Sequence, residues 1–200
     1  MIEWININRV EIIGALLAFI YLIFEIKRKW FFWIIGIISS GFYVYIYFYK
    51  KLYAETVLNF YYILMSAYGL YCWKFSQKAN VENEGFHNIN MKTSFVLSLL
   101  FIILFAFIFI ILHRFTDSPV PIPDALITVL SFIATWMSAK KIVECWYLWI
   151  FANFLATGLY IYLKLYPTAI LFTVYTVLSF VGLIEWRKSI KNNDSTYTKL

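Results

Sequence analysis

Residues 124–186, DALITVLSFIATWMSAKKIVECWYLWIFANFLATGLYIYLKLYPTAILFTVYTVLSFVGLIEW, decide the fold of this chain, because residues 11–73 repeat the pattern of this stretch. A shift of 113 positions places residues 11–73 on it without a gap, so that Trp33 falls on Trp146 and YFYKKLY falls on YIYLKLY. Lysine, glycine, serine and tryptophan positions coincide as well as apolar ones. We therefore infer an internal duplication rather than a shared hydrophobic bias.

The composition places both copies in a membrane. Of the 200 residues, 62% are hydrophobic, 22% are aromatic and only 14% are charged, whereas soluble domains are about a quarter charged. Apolar runs of roughly 17–22 residues, enough to cross a hydrocarbon core of about 30 Å, occur seven times. They cover residues 10–26, 30–49, 54–73, 94–112, 124–139, 146–163 and 168–186. We predict an all-α integral membrane protein with seven transmembrane helices.

The basic residues predict the orientation in the membrane. One side collects twelve of the 17 lysines and arginines, namely Lys27, Arg28, Lys29, Lys74, Lys78, Lys92, Lys140, Lys141, Arg187, Lys188, Lys191 and Lys199. The other side holds Arg9, Lys50, Lys51, Arg114 and Lys164. Because basic residues favour the cytoplasmic side, we expect the N-terminus outside and the C-terminus in the cytoplasm. The net charge of +6 is then a topology signal, and we expect no nucleic-acid partner.

The fourth apolar run lies outside the duplication and determines the symmetry of the fold. Three helices per copy would invert the second copy, and one added span restores its direction. We expect two parallel three-helix repeats joined by a linker helix (3+1+3), a plan in which transporters bind substrate where the repeats meet. The expected segments are the first repeat at 1–75, a cytoplasmic loop, linker helix and external connector at 76–123, the second repeat at 124–188 and a cytoplasmic tail at 189–200.

One face of the sixth span carries polar and aromatic side chains. At about 100° per residue they fall within an arc of about 80°: Trp146, Trp149, Asn153, Thr157 and Tyr160. Unsatisfied polar groups are costly in lipid, so we expect this stripe to face the interior of the bundle. In the second span, Gly36 and Ser40 align with Trp149 and Asn153. This difference predicts a single binding site whose side chains come mainly from the second repeat.

The stripe is suited to a flat, cationic ring. Indole faces attract cations, and an asparagine amide offers a donor and an acceptor together. For Trp146 alone, a role as an interfacial anchor is the alternative. Further residues that we expect to line the pathway are Ser40, Tyr62, Ser66, Thr128 and Tyr175. For the serines, close helix packing is an equally simple explanation.

Signatures of other functions are missing from the sequence. We find no cluster of metal ligands, no phosphate-binding glycine loop and no nucleophile–base set, so we expect no enzymatic activity, no cofactor and no bound metal. A chain of intramembrane carboxylates, typical of proton-driven carriers, is also missing, and we expect transport that is not coupled to an ion.

Residues 124–188 resemble the Pnu family of bacterial vitamin transporters. The similarity lies in the acidic start followed by Thr128, in an E-x-W-x-x-W-x-x-x-N signature and in a closing G-x-x-x-W. The signature begins at Glu144 and runs through Trp146 and Trp149 to Asn153. In the first repeat, SAYGLYCW is similar to the family's Y-G-W-x-x-W ending.

This resemblance implies uptake of nicotinamide riboside across the bacterial inner membrane by facilitated diffusion, with phosphorylation trapping the vitamin inside. It also implies a homotrimer with one pathway per protomer, in which Trp146, Trp149 and Asn153 hold the base. Leu70 stands where the family pattern has tryptophan, and thiamine or riboflavin is the alternative substrate within the family. A sugar-type uniporter and an accessory structural membrane subunit are the alternatives from other classes.

Overall fold

The structure, a computed structural model, describes residues 9–49, 53–74, 85–116 and 119–197. These residues form seven α-helices: α1 (Arg9–Ile26), α2 (Phe32–Tyr49), α3 (Tyr53–Lys74), α4 (Met91–Phe115), α5 (Pro121–Ala139), α6 (Cys145–Tyr162) and α7 (Tyr166–Tyr197). The all-helical prediction is confirmed. The largest difference in bounds is at the end of α7, which continues eleven residues past the expected end at Trp186.

Four helices in the described part of the chain are long and apolar enough to cross a membrane. They are α4, α5, α6 and the Tyr166–Ile190 part of α7, while the apolar stretch found in α2 is the shorter Phe32–Tyr45. Helix α4 buries none of its residues against the rest of the protein. Its contact with α5 therefore leaves most of its apolar surface uncovered, and such a surface is stable only in lipid or against another protein.

The chain forms two compact units, residues 1–83 and 84–200. In the first unit α2 packs against both α1 and α3, and in the second each of α4, α5, α6 and α7 packs against the next. The linker helix α4 therefore belongs to the same compact unit as α5–α7. The first part of the expected cytoplasmic loop lies outside the described residues, since its positions 76–84 are not described.

Equivalent turns follow α1 and α5. Arg28 and Lys141, 113 positions apart, both have φ of 58°, which is uncommon for residues other than glycine. The Arg28 and Lys29 amides donate to the carbonyls of residues 25 and 24, and the amides of residues 141 and 142 donate to those of 138 and 137. This is the Schellman pattern of helix ends, and a basic side chain there also favours the helix dipole.

Candidate functional site

In each unit a tryptophan packs directly against a glycine of the neighbouring helix. The rings of Trp33 on α2 and Trp146 on α6 are fully buried, at 0% exposure. A Cβ added to Gly69 would lie 2.4 Å from Trp33 Cε2, and one added to Gly182 would lie 2.5 Å from three ring atoms of Trp146. Since real side chains do not approach that closely, both positions require glycine for this packing.

A second tryptophan completes each contact. Trp33 meets Trp73 with ring centroids 6.3 Å apart, and Trp146 meets Trp186 at 5.3 Å, both edge to face. Such pairs add about 0.5–1.5 kcal/mol beyond the area they bury. Trp146 is thus held between α6 and α7 rather than displayed at a surface, and its predicted contact with substrate stays a prediction.

Asn153 is hydrogen-bonded across the α6–α7 interface. Its Nδ2 donates to Ser179 Oγ over 3.2 Å, and Ser179 Oγ donates to the Tyr175 carbonyl over 2.7 Å. Asn153 is 8% exposed and Ser179 is 0% exposed. The backbone carbonyl of Asn153, distinct from its side-chain amide, accepts from Thr157 Oγ1 over 2.9 Å. The amide is therefore a fixed polar group in apolar surroundings, where a satisfied hydrogen bond defines its orientation.

Trp149 lies one helical turn before Asn153 on the same face of α6. Its ring is partly exposed, but the indole Nε1 is buried without a hydrogen-bond partner among the described residues. The Nε1 atoms of Trp33 and Trp146 share this property. A buried unsatisfied N–H is costly, and it is a donor that a polar ligand group could satisfy.

Aromatic rings extend the stripe toward the end of α6. Tyr160 packs against Phe172 of α7 with centroids 5.1 Å apart, and Phe172 meets Tyr175 at 5.6 Å. The structure therefore joins Tyr160 to Tyr175 through one intervening ring. Four predicted site residues, Asn153, Thr157, Tyr160 and Tyr175, thus lie in one connected group on α6 and α7.

The equivalent region of the first unit has no room for a large residue at position 36. A Cβ on Gly36 would lie 2.7 Å from Ser66 Oγ and 3.1 Å from the Tyr21 ring. Ser66 and Ser40 are both buried, and Tyr62 is partly buried with its ring 5.7 Å from Tyr61. Ser66 therefore packs closely against α2 at Gly36.

Thr128, which we expected to line the pathway, is one of three hydroxyl-bearing residues of α5 that are hydrogen-bonded within the helix itself. The hydroxyls of Thr128, Ser131 and Thr135 donate to the carbonyls four residues earlier, at 2.8, 2.8 and 2.7 Å. Back-bonding of this kind allows hydroxyl groups to sit in apolar surroundings at little cost. Thr128 can still offer its oxygen as an acceptor.

Sequence reasoning missed a groove between α4, α5 and α6 in the second unit. It has a volume of about 500 Å³, and its walls are mostly apolar. Glu144 and Tyr147 lie in the wall, whereas none of the predicted binding residues lines the groove. The sequence indicates this groove only weakly, because α4 is nearly pure leucine, isoleucine and phenylalanine and no face of it stands out.

Glu144 and Glu25 are two carboxylates whose surroundings the sequence did not predict. Glu144 Oε2 accepts the Ile89 N–H over 2.9 Å and so ties the segment before α4 to the start of α6. Beside it, His87 and Ile142 pair as a parallel bridge. Glu25, near the end of α1, is only 2% exposed. Among the described residues no three potential metal ligands cluster.

Apolar helices in two compact units, with indoles and an oriented amide buried on one helix face, are typical of a multi-pass membrane transporter. The model of the nicotinamide mononucleotide transporter family matches residues 8–188, and the chain belongs to this family.

Two known proteins are similar over most of the chain. The nicotinamide riboside transporter PnuC of Neisseria mucosa is 24% identical over 192 residues, which covers 90% of this chain and 73% of the relative. A crystal structure of the vitamin B3 transporter PnuC superimposes with a TM-score of 0.71 at 23% identity, covering 92% of this chain and 83% of the other. At that identity the structural likeness establishes the fold.

Proposed function

We propose that this protein takes up nicotinamide riboside across the bacterial inner membrane by facilitated diffusion, as a step in salvage of an NAD precursor. The family supports a transporter, and the curated relative named for nicotinamide riboside supports the substrate. The substrate is a small cationic vitamin, and the chain acts on it as a carrier and not as an enzyme.

The observation that carries this proposal is the pair formed by Trp149 and Asn153. Trp149 Nε1 is a buried donor without a partner among the described residues, and the Asn153 amide is fixed by Ser179. A primary carboxamide offers an acceptor oxygen and two N–H donors. It therefore complements an indole N–H and an amide oxygen that lie one turn apart on α6.

The positive charge of the pyridinium ring supplies both recognition and direction. An aromatic face attracts a desolvated cation by about 2 kcal/mol or more. A negative interior draws in a monovalent cation with about 2.3 kcal/mol per 100 mV. Phosphorylation in the cytosol would then keep the concentration of free riboside low, so no coupled ion is required.

The same proposal includes the orientation of the protein in the membrane and its oligomeric state. The N-terminus lies outside and the C-terminus in the cytoplasm, as the distribution of lysine and arginine favours. The assembly is a homotrimer in which each protomer has its own pathway, and α4, which has no buried residue, is available for contact with lipid or with another protomer.

A ligand panel on the purified protein tests the substrate. Tryptophan fluorescence is followed during titration with nicotinamide riboside, thiamine, riboflavin and glucose. We expect saturable quenching by nicotinamide riboside at the lowest concentration. Tighter binding of thiamine or riboflavin would identify that vitamin as the substrate. A response to glucose alone would favour a sugar uniporter, and no response to any ligand would favour an accessory subunit.

A further inference from the structure

Ser179 is a fully buried residue of α7 that lies between a backbone carbonyl and the Asn153 amide. We propose that Ser179 is a positioning residue that fixes which edge of the Asn153 amide faces the substrate. The site then presents an acceptor, and it selects ligands that offer a hydrogen-bond donor, such as a carboxamide, over ligands that offer only acceptors. This inference rests on the proposed function, because it concerns the same site.

The number of protons on the serine determines the direction of its hydrogen bonds. A serine hydroxyl has one proton and two lone pairs, and a carbonyl oxygen can only accept. Ser179 Oγ lies 2.7 Å from the Tyr175 carbonyl oxygen, so the one proton must lie between these two oxygens. Ser179 is then only an acceptor toward α6.

An acceptor at Ser179 determines the orientation of the asparagine. The atom of Asn153 that lies 3.2 Å from Ser179 Oγ must be a donor, and it is Nδ2. The other end of the amide, Oδ1, accepts no hydrogen bond from the residues that the structure describes. Asn153 is 8% exposed, and turning the amide over would bring two acceptor oxygens together in apolar surroundings.

The first repeat shows that this arrangement is a property of the second repeat rather than of the fold. Ser66 is the counterpart of Ser179, and Ser40 is the counterpart of Asn153. Ser66 Oγ lies against Gly36, whose added Cβ would approach it to 2.7 Å. No amide is present at position 40 to be oriented, so buried serine at this place in the fold does not by itself require an asparagine partner.

The consequence is discrimination between an amide and an acid. A carboxamide donates an N–H to Asn153 Oδ1, whereas an ionised carboxylate has acceptors only and would face an oxygen that repels it. If Ser179 is removed, Asn153 is free to turn, and its NH2 group can then face a carboxylate. Loss of the serine should therefore change the preference between the two ligands and not simply the affinity.

Calorimetry on folded, detergent-purified protein tests this directly. Nicotinamide riboside is compared with the same riboside carrying a carboxylate in place of the carboxamide. We expect the parent to prefer the amide by about tenfold or more. Ser179→Ala should bind the amide several times more weakly and bind the acid no more weakly than the parent, so that the ratio falls. Ser179→Thr, which keeps the hydroxyl and its bond to the preceding turn, should retain most of the parent ratio.

Ser138→Ala is the matched control, because Ser138 is another buried serine of this unit, and its oxygen contacts Cys145 Sγ. It should keep the parent ratio. Equal weakening of both ligands by Ser179→Ala, or an unchanged ratio, would overturn the positioning role. A parent that binds the amide without preferring it would overturn this inference alone, whereas a parent that binds neither riboside would overturn the proposed function and this inference with it.

Discussion

The Trp146 ring occupies the space that a side chain at Gly182 would need, with three of its ring atoms 2.5 Å from the position of the missing Cβ. Trp33 and Gly69 have the same relationship 113 positions earlier. The alignment of the two repeats pairs Trp33 with Trp146 and Gly69 with Gly182. In the structure each tryptophan ring fills the space that the neighbouring helix leaves at its glycine. The contact between Trp146 and Gly182 holds the face of α6 that carries the polar stripe against α7.

Gly182→Ala should destabilise the protein by about 1–3 kcal/mol, because the added methyl must displace a rigid, fully buried ring. The thermal unfolding midpoint in detergent is the measurement. Gly158→Ala on α6 is the matched control, since a Cβ at Gly158 meets nothing within 4 Å and alanine favours the helix by up to about 1 kcal/mol. Equal stability of the two variants would show that the Trp146 ring is not confined as described.

Glu144→Ala should loosen the segment before α4, because the Ile89 N–H would lose its acceptor. A hydrogen bond to a charged group contributes about 1.5–3 kcal/mol, so exchange of the Ile89 amide should accelerate by about tenfold or more. Glu144→Gln keeps an acceptor oxygen and should retain much of the protection. Hydrogen exchange read at Ile89 measures both variants, and the account of Glu144 fails if the alanine variant exchanges at the parent rate.

The expected topology rests on the twelve-to-five division of lysine and arginine residues. Residues 188–200 should be cytoplasmic. A fluorescent protein fused to the C-terminus should therefore fluoresce, and alkaline phosphatase fused at the same place should be inactive. Active phosphatase with a dark fluorescent protein would reverse the orientation.

Uptake should not require a proton gradient. Among the residues whose burial the structure describes, Glu25 is the one buried carboxylate, and proton-driven carriers use chains of such groups. Uptake of labelled nicotinamide riboside into vesicles should continue when the pH is equal on both sides and should increase when the interior is made negative. Uptake that stops without a proton gradient, while the membrane potential is held constant, would contradict this prediction.

Much of the fold could be predicted from the sequence, because apolar run length and the 113-residue repeat are local or simply periodic signals. Helices α1 to α6 begin or end within a few residues of the expected positions. The continuation of α7 was missed because its last turns are polar. Where the continuation begins, Glu185 and Lys188 form an ion pair across 2.8 Å. Composition alone does not reveal such local support.

The site could be predicted only in part. Helical periodicity placed Asn153, Thr157 and Tyr160 on one face, and the structure joins them to α7. The role of Ser179 depends on which helix lies opposite Asn153 and on a proton shared with a backbone carbonyl, and neither appears in the sequence of α6. The full burial of Trp146 likewise depends on Gly182, which is 36 residues away in the chain.

The central claim is that Trp149 and Asn153 hold the substrate, and calorimetry of nicotinamide riboside binding to folded variants tests it most directly. Trp149→Ala should weaken binding by about tenfold or more, since a desolvated cation–aromatic contact contributes about 2 kcal/mol. Asn153→Ala should weaken binding by about tenfold as well, because a buried N–H of the carboxamide would lose its acceptor. Phe151 is on the same helix but is 49% exposed, so Phe151→Ala should bind like the parent. Trp73→Phe should also bind like the parent, because Trp73 lies in the packed core of the first unit. If the parent binds nicotinamide riboside and Trp149→Ala and Asn153→Ala bind it equally tightly, the site is not on this face of α6.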